Sequence, residues 1–399
     1  SSSSQTLTPG ANQSPLWNVF AGNVRAASST KQATGSSVTM SWTAASDAWW
    51  AIAAVPINPS STRVWTGATS NDWNAPANWC GGVPAAGDNA FIPSAPANQP
   101  VIQNSPAALC NDLTINPGAS LTINAGKTLT VNGDLAVYGN MIIESDAVTN
   151  SGSLIVEGNS TGNVTFKRQL RSIANYGDCH YLSSPVSGQN VSGFKSTDNF
   201  PATIWEWQEP NPTPWQTLSS GTFDSGRGYN LVQSGGNGKF AFTGTVVTTS
   251  PVIKATAPYY SSGTYADDRE SWAGGGCNLL GNPFTSALDA TKFITTNAAS
   301  FDPNYMALYV YDGYNNTYLY AAASIPVDPM NGLFGSVIQA GQGFFVFPDY
   351  DGRTFTFVPG TSGMQTHNTS VELKSAGTPW PGLALKVKSG SVEKSTTVV

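Results

Sequence analysis

Four cysteines are the residues of this chain most able to form covalent bonds: Cys80, Cys110, Cys179 and Cys277. An even cysteine count in a chain rich in serine and threonine and poor in lysine predicts disulfides and an oxidising compartment. Cys80 and Cys110 flank the start of one region, and Cys179 and Cys277 occupy equivalent places in an internal repeat, so we pair them in that way. Buried free thiols are the alternative. A metal site is disfavoured because no C-x-x-C motif or close histidine accompanies these cysteines.

The chain contains only two histidines, which limits acid–base and nucleophilic chemistry. His180 lies beside Cys179 in a predicted strand, where we expect a packed residue or one at the rim. His367 lies in the polar stretch 365–369, which is typical of a loop. No G-x-S-x-G motif is present, so the sequence predicts no hydrolytic triad.

Two carboxylates at a recognisable spacing would indicate a glycosidase. The candidates are Glu206, Glu209, Asp267, Asp268 and Glu270. The run 267–270 mixes both signs of charge and is typical of a solvated turn. Glu206 alternates with two tryptophans, so it should point away from the face that they share. No carboxylate pair results, and we therefore predict that the chain is not an enzyme and has no catalytic residues.

Glycine motifs in the second half of the chain favour turns over ligand sites. The motifs 226–228 (G-R-G) and 341–343 (G-Q-G) precede predicted strands, whereas a phosphate cradle needs a helix N-terminus behind the glycines. The run 349–352 (D-Y-D-G) offers oxygen ligands for calcium but falls well short of an EF-hand loop, so a hairpin turn is favoured. We predict no cofactor and no bound metal.

Aromatic side chains are the remaining chemical feature, because exposed rings on a β scaffold can stack on sugars. Trp205, Trp207, Tyr309 and Tyr311 alternate along predicted strands in both copies of the repeat, which favours a place in the core. Trp215 follows the proline-rich loop 210–214 and is our candidate for a glycan-stacking side chain.

The composition indicates which elements must position these residues. Charged residues make up 11% of the 399, and the net charge is −6. Exposed helices would need more lysine, glutamate and arginine, whereas strands are well served by serine, threonine and aromatic residues. Nothing supplies the positive surface that phosphate contacts require, and no apolar run approaches the roughly 18 residues that span a bilayer. We expect an all-β protein with no nucleic-acid partner and no membrane span.

Turn signals divide the first half of the chain into two regions. Residues 1–58 hold two predicted strands, 37–42 and 49–57, which suggest the terminal strands of an incomplete β-sandwich. Residues 63–168 predict a short β-solenoid-like domain stapled by its two cysteines, with an antiparallel meander as the alternative. This prediction rests on apolar pairs that recur between glycine-, asparagine- and proline-marked turns. The pairs are Leu113/Ile115, Leu121/Ile123, Leu129/Val131, Leu135/Val137, Met141/Ile143, Leu154/Val156 and Val164/Phe166.

Residues 169–360 show the same landmarks twice, in copies at about 179–246 and 277–360. In each copy a proline follows the cysteine by six positions, and a Phe-x-Phe strand begins twelve positions after the second glycine of a Gly-x-Gly pair. Residues 361–399 return to strand-like alternation and predict the start of a further β-strand region. The predicted fold class is therefore all-β, with modular β-sandwich units in series, a short β-solenoid-like segment and an internally duplicated β domain.

Several motifs resemble those of large secreted proteins of the Bacteroidota, which are typically exported by the type IX secretion system. One is the run W-T-G…W…N-W-C…V-P that begins at Trp65. Others are 278–284 and 340–346, which resemble the L-x-G-N-P-Y and G-Q-G-F-F-V landmarks of that group. The resemblance covers about residues 63–399 and implies a secreted or cell-surface location. It implies no single activity, because the same modules accompany adhesins, surface-layer proteins and polysaccharide-degrading enzymes.

These features together favour an extracellular structural or adhesive protein, such as a subunit of a fibre or surface polymer. Its expected partners are other copies of itself or cell-surface components, with glycans as further candidates. The chain opens on serines without an initiator methionine, so we expect a removed leader or a longer polypeptide. A strand from a neighbouring copy, such as the segment 381–399, would complete the N-terminal sandwich. The alternative is a non-catalytic carbohydrate-binding accessory region of a secreted polysaccharide-degrading enzyme.

Overall fold

A computed structural model describes residues 6–31, 38–46, 49–55, 61–146, 151–170, 180–208, 213–233, 235, 238–256, 276–303, 305–312, 317–322, 337–367, 383–389 and 392–398. The chain divides into two compact units, residues 1–59 (the N-terminal unit) and residues 60–399. Strands account for 47% of the protein and helices for 5%, which confirms the predicted all-β class.

The N-terminal unit contains two separate antiparallel ribbons. Its strands are β1 (Leu7–Pro9), β2 (Ser14–Ala21), β3 (Val24–Thr30) and β4 (Trp42–Ala44). Strand β1 pairs with β4, and β2 pairs with β3. In the described part of the strand predicted at 37–42, residues 38–41 form no strand and β4 begins at Trp42. The described part of the strand predicted at 49–57, residues 49–55, forms no strand, because an apolar run becomes a strand only where a neighbour accepts its hydrogen bonds.

Residues 61–170 form a solenoid of about four turns, in which three successive strands make one turn. Its strands are β5 (Thr62–Trp65), β6 (Trp79–Cys80), β7 (Asn89–Ile92), β8 (Val101–Ile102), β9 (Ala108–Cys110), β10 (Leu113–Ile115), β11 (Ser120–Ile123), β12 (Thr128–Val131), β13 (Leu135–Val137), β14 (Asn140–Ile143), β15 (Ser153–Val156), β16 (Ser160–Thr161) and β17 (Val164–Gln169). A 3₁₀ turn at Pro76–Asn78 precedes β6.

The solenoid has three faces, each a sheet of stacked strands. The first face has the order β16-β13-β10-β7-β5-β6, the second contains β17-β14-β11-β8, and the third is β15-β12-β9. Strands from successive turns pair in parallel, for example β10 with β13 and β11 with β14. Parallel pairing of strands about 20 residues apart confirms the predicted solenoid over the meander.

The apolar pairs predicted from the sequence form the solenoid core. Strand register places Leu113 on Leu135, and Leu129 on Leu154, in consecutive turns. Every member of the seven predicted pairs is at most 5% exposed. Full burial of such a side chain stabilises the fold by about 2 kcal/mol, so this inward ladder is the main force that stacks the turns.

A polar ladder runs along one corner of the solenoid and fixes its register. The side chain of Asn89 accepts a hydrogen bond from the backbone N–H of Asp112 at 3.2 Å. The carboxylate of Asp112 accepts one from the N–H of Asp134 at 2.9 Å, and that of Asp134 accepts one from the N–H of Asn159 at 2.7 Å. Each turn thus satisfies a backbone donor of the next turn at the point where a new strand begins.

The W-T-G…N-W-C run covers the first turn of the solenoid. Trp65, Trp73 and Trp79 are almost completely buried, and Trp79 contacts the other two rings edge-on at 5.1 and 4.7 Å. Asn78 is fully buried beside them, and its Oδ1 accepts hydrogen bonds from the N–H groups of Thr69 and Ser70 at 2.9 and 3.0 Å. The motif therefore forms a cap over the open end of the apolar core.

Residues beyond the solenoid form the duplicated domain. Its elements are β18 (His180–Leu182), β19 (Val186–Ser187), β20 (Ala202–Trp207), β21 (Trp215–Thr217), β22 (Tyr229–Gln233), β23 (Lys239–Val246), β24 (Val252–Lys254), β25 (Asn278–Gly281), β26 (Ala287–Asp289), α1 (Ala290–Thr296), a 3₁₀ turn at Ala298–Ser300, β27 (Ala307–Asp312), β28 (Thr317–Ala322), β29 (Val337–Ile338), β30 (Gly343–Val346), β31 (Thr354–Thr356) and β32 (Gln365–Thr366).

Each copy of the repeat builds a four-stranded antiparallel sheet. The first copy has the order β18-β22-β20-β21, and the second has β25-β30-β27-β28. In each sheet the edge strand follows the repeated cysteine (β18 and β25). The strand next to it follows the Gly-x-Gly pair (β22 and β30). The two sheets therefore place equivalent strands in the same order.

The duplicated domain covers the far end of the solenoid. Strand β23 pairs antiparallel with β17 from Val164 to Gln169, which extends the second face. On the third face, the N–H of Leu154 donates to the carbonyl of Thr285 at 3.0 Å, and the Thr285 hydroxyl donates back to the Leu154 carbonyl at 2.8 Å. These contacts give hydrogen-bond partners to the backbones of β17 and β15, which would otherwise form open sheet edges.

The last described segments, β33 (Leu383–Ser389) and β34 (Val392–Val398), pair with each other as an antiparallel ribbon. The alternation at 383–388 therefore forms a strand, as predicted. Strand β34 occupies one edge of β33. The segment predicted to add to a neighbouring copy is therefore a two-stranded ribbon and not a single strand with two open edges.

Candidate functional site

The two Gly-x-Gly motifs lie where the copies of the repeat cross. Arg227 bridges to Leu280, and Gln342 bridges to Leu182. Leu182 and Leu280 both lie three positions after the repeated cysteine, and Arg227 and Gln342 are the middle residues of the two motifs. The crossing is therefore reciprocal, as in a dimer with two-fold symmetry, and the motifs are structural turns as the sequence indicated.

Glycine is required at this crossing because the two backbones touch. The N–H of Gly228 donates to the Leu279 carbonyl at 3.0 Å, and the N–H of Gly281 donates to the Gly226 carbonyl at 3.0 Å. A Cβ on Gly228 would lie 2.4 Å from the Leu280 carbonyl oxygen, and one on Gly343 would lie 2.9 Å from the Tyr181 carbonyl carbon. No side chain fits between backbones at that separation.

Aromatic rings from both copies pack together beside the crossing, in a group that we call the aromatic seam. Its members are Tyr181, Trp207, Trp215, Tyr311, Tyr318 and Phe345. The Trp215 ring lies 4.9 Å from Trp207 and 5.6 Å from Tyr181. Trp215, predicted as an exposed glycan-stacking residue, is instead half-buried, because both neighbouring rings pack against it. Each such ring pair contributes about 1 kcal/mol, so the seam holds the copies together.

The cysteines do not form the predicted bond between Cys80 and Cys110, both of which are free thiols. Trp79 occupies the inward position of β6, so strand alternation turns Cys80 to solvent. Cys110 points into the solenoid core, where burial and secondarily Asp112 raise the pKa of its thiol to about 12. Cys277 is buried against Leu279 and Phe345. Its predicted partner Cys179 lies outside the described residues.

His367 has a structural role that the sequence did not indicate. It lies outside the strands, as predicted, directly after β32, and it is half-buried against the third face of the solenoid. Its Nε2 lies 2.9 Å from the Thr130 hydroxyl, and its Nδ1 lies 2.8 Å from the Ser153 hydroxyl. Burial lowers the pKa of the ring to about 4. The imidazole thus joins two turns of the solenoid to the end of the second copy, whereas His180 is a half-buried residue of β18.

Only one of the five candidate acids lies in the part of the structure that is described. Glu206 lies on β20, whereas Glu209, Asp267, Asp268 and Glu270 lie outside the described residues. At the former calcium candidate, Asp349 receives hydrogen bonds from Arg353 Nε at 2.5 Å and Nη2 at 2.6 Å. That carboxylate is therefore already paired. The described residues contain no group of three or more side chains suited to a metal ion, and no helix among them is long and apolar enough to span a membrane.

The N-terminal unit is rich in exposed apolar side chains. None of its described residues is buried, and the apolar core of the chain begins at Trp65. Ten of the fifteen large apolar side chains that are exposed among the described residues belong to this unit. They are Leu16, Trp17, Val19, Phe20, Val24, Val38, Trp49, Trp50, Ile52 and Val55. Strand β2 was not predicted, although its run P-L-W-N-V-F-A places apolar side chains on both faces.

Comparison with known proteins finds one similarity. No curated protein and no solved structure matches the chain. A family model described as a domain of unknown function (DUF8693) matches residues 64–358, which span the solenoid and both copies of the repeat. Because the match covers nearly three quarters of the 399 residues, the chain belongs to the DUF8693 family.

Proposed function

We propose that the chain is a non-catalytic, extracellular structural or adhesive protein of the cell surface, and that it associates with other copies of itself through the N-terminal unit. The observation that carries this proposal is the exposed apolar surface of that unit, in which no described residue is buried. Soluble domains rarely leave contiguous apolar surface open to water unless a partner covers it.

The energetics favour association only if the surface is used as a whole. Full burial of a large apolar side chain contributes about 1.5–3 kcal/mol, so the half-exposed residues of β2 and β3 offer about 1 kcal/mol each. Five such residues barely offset the cost of association, which is at least about 4 kcal/mol. The segment 49–55 adds four apolar side chains that are each more than half exposed, including Trp49 and Trp50. Together the two regions offer more than this minimum cost of association.

The backbone offers a further route to the same contact. Within the described residues, β2 has only β3 as a neighbour, so its other edge can accept another strand. The segment 49–55 has the apolar pattern of a strand but no strand partner. The segment 49–55 of a second copy could add to β2 as a further strand. This would give hydrogen-bond partners to the open edge of β2 and to the segment, and sheet edges commonly bind strands in this way.

The remaining features support a place outside the cell. Only 11% of residues are charged, and the solenoid displays threonine and asparagine between its buried positions. The motifs that resemble secreted Bacteroidota proteins support export by the type IX system. Protease treatment of intact cells tests this: a surface protein is degraded, whereas resistance until the cells are lysed would refute the location.

Sedimentation velocity of the 399-residue chain tests self-association with a matched pair of variants. Val19 and Val252 are 54% and 56% exposed, but only Val19 belongs to the N-terminal unit. We expect Val19→Lys to abolish the faster-sedimenting species and Val252→Lys to leave them unchanged. A wild-type chain that sediments only as a monomer at every concentration, or equal effects of the two variants, would refute the proposal.

A further inference from the structure

A polar groove lies at one corner of the solenoid, and its lining includes no member of the aromatic seam. It has a volume of about 590 Å³, within the range of small-molecule sites, and it crosses three successive turns between the first and second faces. Ser120 contributes from one turn, Asn140 from the next and Asn163 from the one after. Thr165 and Thr243 close one end, where their hydroxyls lie 3.1 Å apart.

Two glycines allow the turns to stack closely at this groove. Gly139 and Gly162 both line it, and neither position tolerates a side chain. A Cβ on Gly139 would lie 2.4 Å from the Ala119 carbonyl oxygen, and one on Gly162 would lie 1.8 Å from that of Val137. The turns therefore stack closely at the corner, and the groove between the polar side chains remains open.

The polar groups of the groove form a regular row. Ser120 is paired in register with Asn140, and the register of the next pair of strands places Asn163 beside Asn140. Neighbouring strands are about 4.8 Å apart, so amide and hydroxyl groups recur at that spacing. The side-chain amides of Asn140 and Asn163 have no hydrogen-bond partner within the described residues and are exposed. Each offers two donors and an acceptor oxygen, which suits vicinal hydroxyl groups.

Tyr138 is an exposed aromatic residue that is next to this row in the sequence. It is 65% exposed, and its sequence neighbours Val137 and Gly139 both line the groove. The backbone at this point is fixed, because the N–H groups of Tyr138 and Gly139 both donate to the Ile115 carbonyl, at 2.8 and 3.0 Å. An aromatic face with a polar tip at a fixed position can stack on the C–H face of a sugar.

No charged residue lines the groove, so it offers no countercharge to a phosphate, a sulfate or a uronate. We propose that the corner groove binds a neutral oligosaccharide, which stacks on Tyr138 and forms hydrogen bonds with Asn140 and Asn163. This site goes beyond the proposed function, because it requires no self-association. It also differs from the Trp215 site that the sequence suggested.

A glycan array probed with the full chain tests the site. The probes are neutral β-glucans, mannans, xylans and galactans, with uronate-containing and sulfated glycans as the charged comparison. We expect saturable binding of at least one neutral class, a loss of about tenfold or more in affinity with Tyr138→Ala, and nearly wild-type affinity with Tyr138→Phe. Asn163→Ala should also weaken binding. Phe200→Ala is the matched control, since that ring is 42% exposed and lies outside the groove.

The outcomes separate this proposal from the others. Binding only to charged glycans, no binding at all, or equal binding by wild type and Tyr138→Ala would overturn it. Loss of binding in Trp215→Ala but not in Tyr138→Ala would move the site to the aromatic seam and overturn it as well. Val19→Lys should bind glycan with wild-type affinity. The glycan test therefore does not depend on whether the chain associates with itself. Thermal melting of each variant confirms that it is folded.

Discussion

The crossing of the two copies makes a graded prediction about three glycines. In Gly228→Ala the new methyl group would lie 2.4 Å from the Leu280 carbonyl oxygen and 2.7 Å from Leu279 Cγ. Overpacking of this kind costs about 1–3 kcal/mol, and weakening of the two backbone hydrogen bonds that link 226–228 to 279–281 adds about 1 kcal/mol. We therefore expect Gly228→Ala to lower the free energy of unfolding by about 3 kcal/mol.

The same geometry predicts a smaller effect at Gly343 and none at Gly87. The nearest atom to a Cβ on Gly343 is 2.9 Å away, so Gly343→Ala should cost about 1 kcal/mol. Nothing lies within 4 Å of a Cβ on Gly87, and Gly87→Ala should stay within about 0.5 kcal/mol of wild type. Urea unfolding followed by tryptophan fluorescence measures all three. Equal stability of Gly228→Ala and Gly87→Ala would refute the reciprocal crossing.

Three further predictions concern the solenoid. Folding lowers the pKa of His367 from its ordinary 6.5 to about 4. The neutral ring therefore contributes its full stability above pH 6.5, and about 3 kcal/mol of the free energy of unfolding is lost as the pH falls to 4. His367→Gln should remove that part of the pH dependence of unfolding. Asn78→Ala removes a fully buried side chain that accepts hydrogen bonds from the N–H groups of Thr69 and Ser70, and it should cost about 2 kcal/mol in urea unfolding; wild-type stability would contradict the cap. In thiol titration with and without denaturant, Cys80→Ser should remove one fast-reacting thiol, whereas Cys110 should react only on unfolding; a Cys80 that reacts only after reduction would contradict the free thiols.

The solenoid and the duplication could be predicted because both appear in the sequence as repeated local patterns. An inward Leu113 and Ile115 can only stack on an equivalent pair, so the register follows from the spacing of the pairs. The duplication likewise followed from landmarks such as Gly228 and Gly343, which the crossing places in equivalent roles. Predictions of this kind depend on short-range patterns that tertiary packing reinforces.

Predictions that depended on distant partners were less successful. Flanking positions in the sequence suggested that Cys80 and Cys110 pair, but alternation on β6 gives the inward place to Trp79. The apolar run at 49–55 has the pattern of a strand, yet no local signal states whether a neighbour is present. Trp215 follows a proline-rich loop and was expected to be exposed, whereas Tyr181 packs on it from 34 positions earlier in the chain.

The corner groove was missed for a related reason. Tyr138 interrupts the apolar pairs just before a Gly-Asn corner, which is a local sign that its ring points outward. The alignment of Ser120, Asn140 and Asn163 in one row appears only when the turns are stacked, because the lengths of the loops between their strands differ.

Hydrogen–deuterium exchange of the 399-residue chain, recorded over a range of protein concentrations, tests most directly whether the N-terminal unit is the surface of association. Amide protection in β2 and β3 should increase with concentration, while that of the solenoid strands β10 to β12 should stay constant. Unchanged exchange in β2 and β3, or new protection confined to the solenoid, would contradict the proposed structural role.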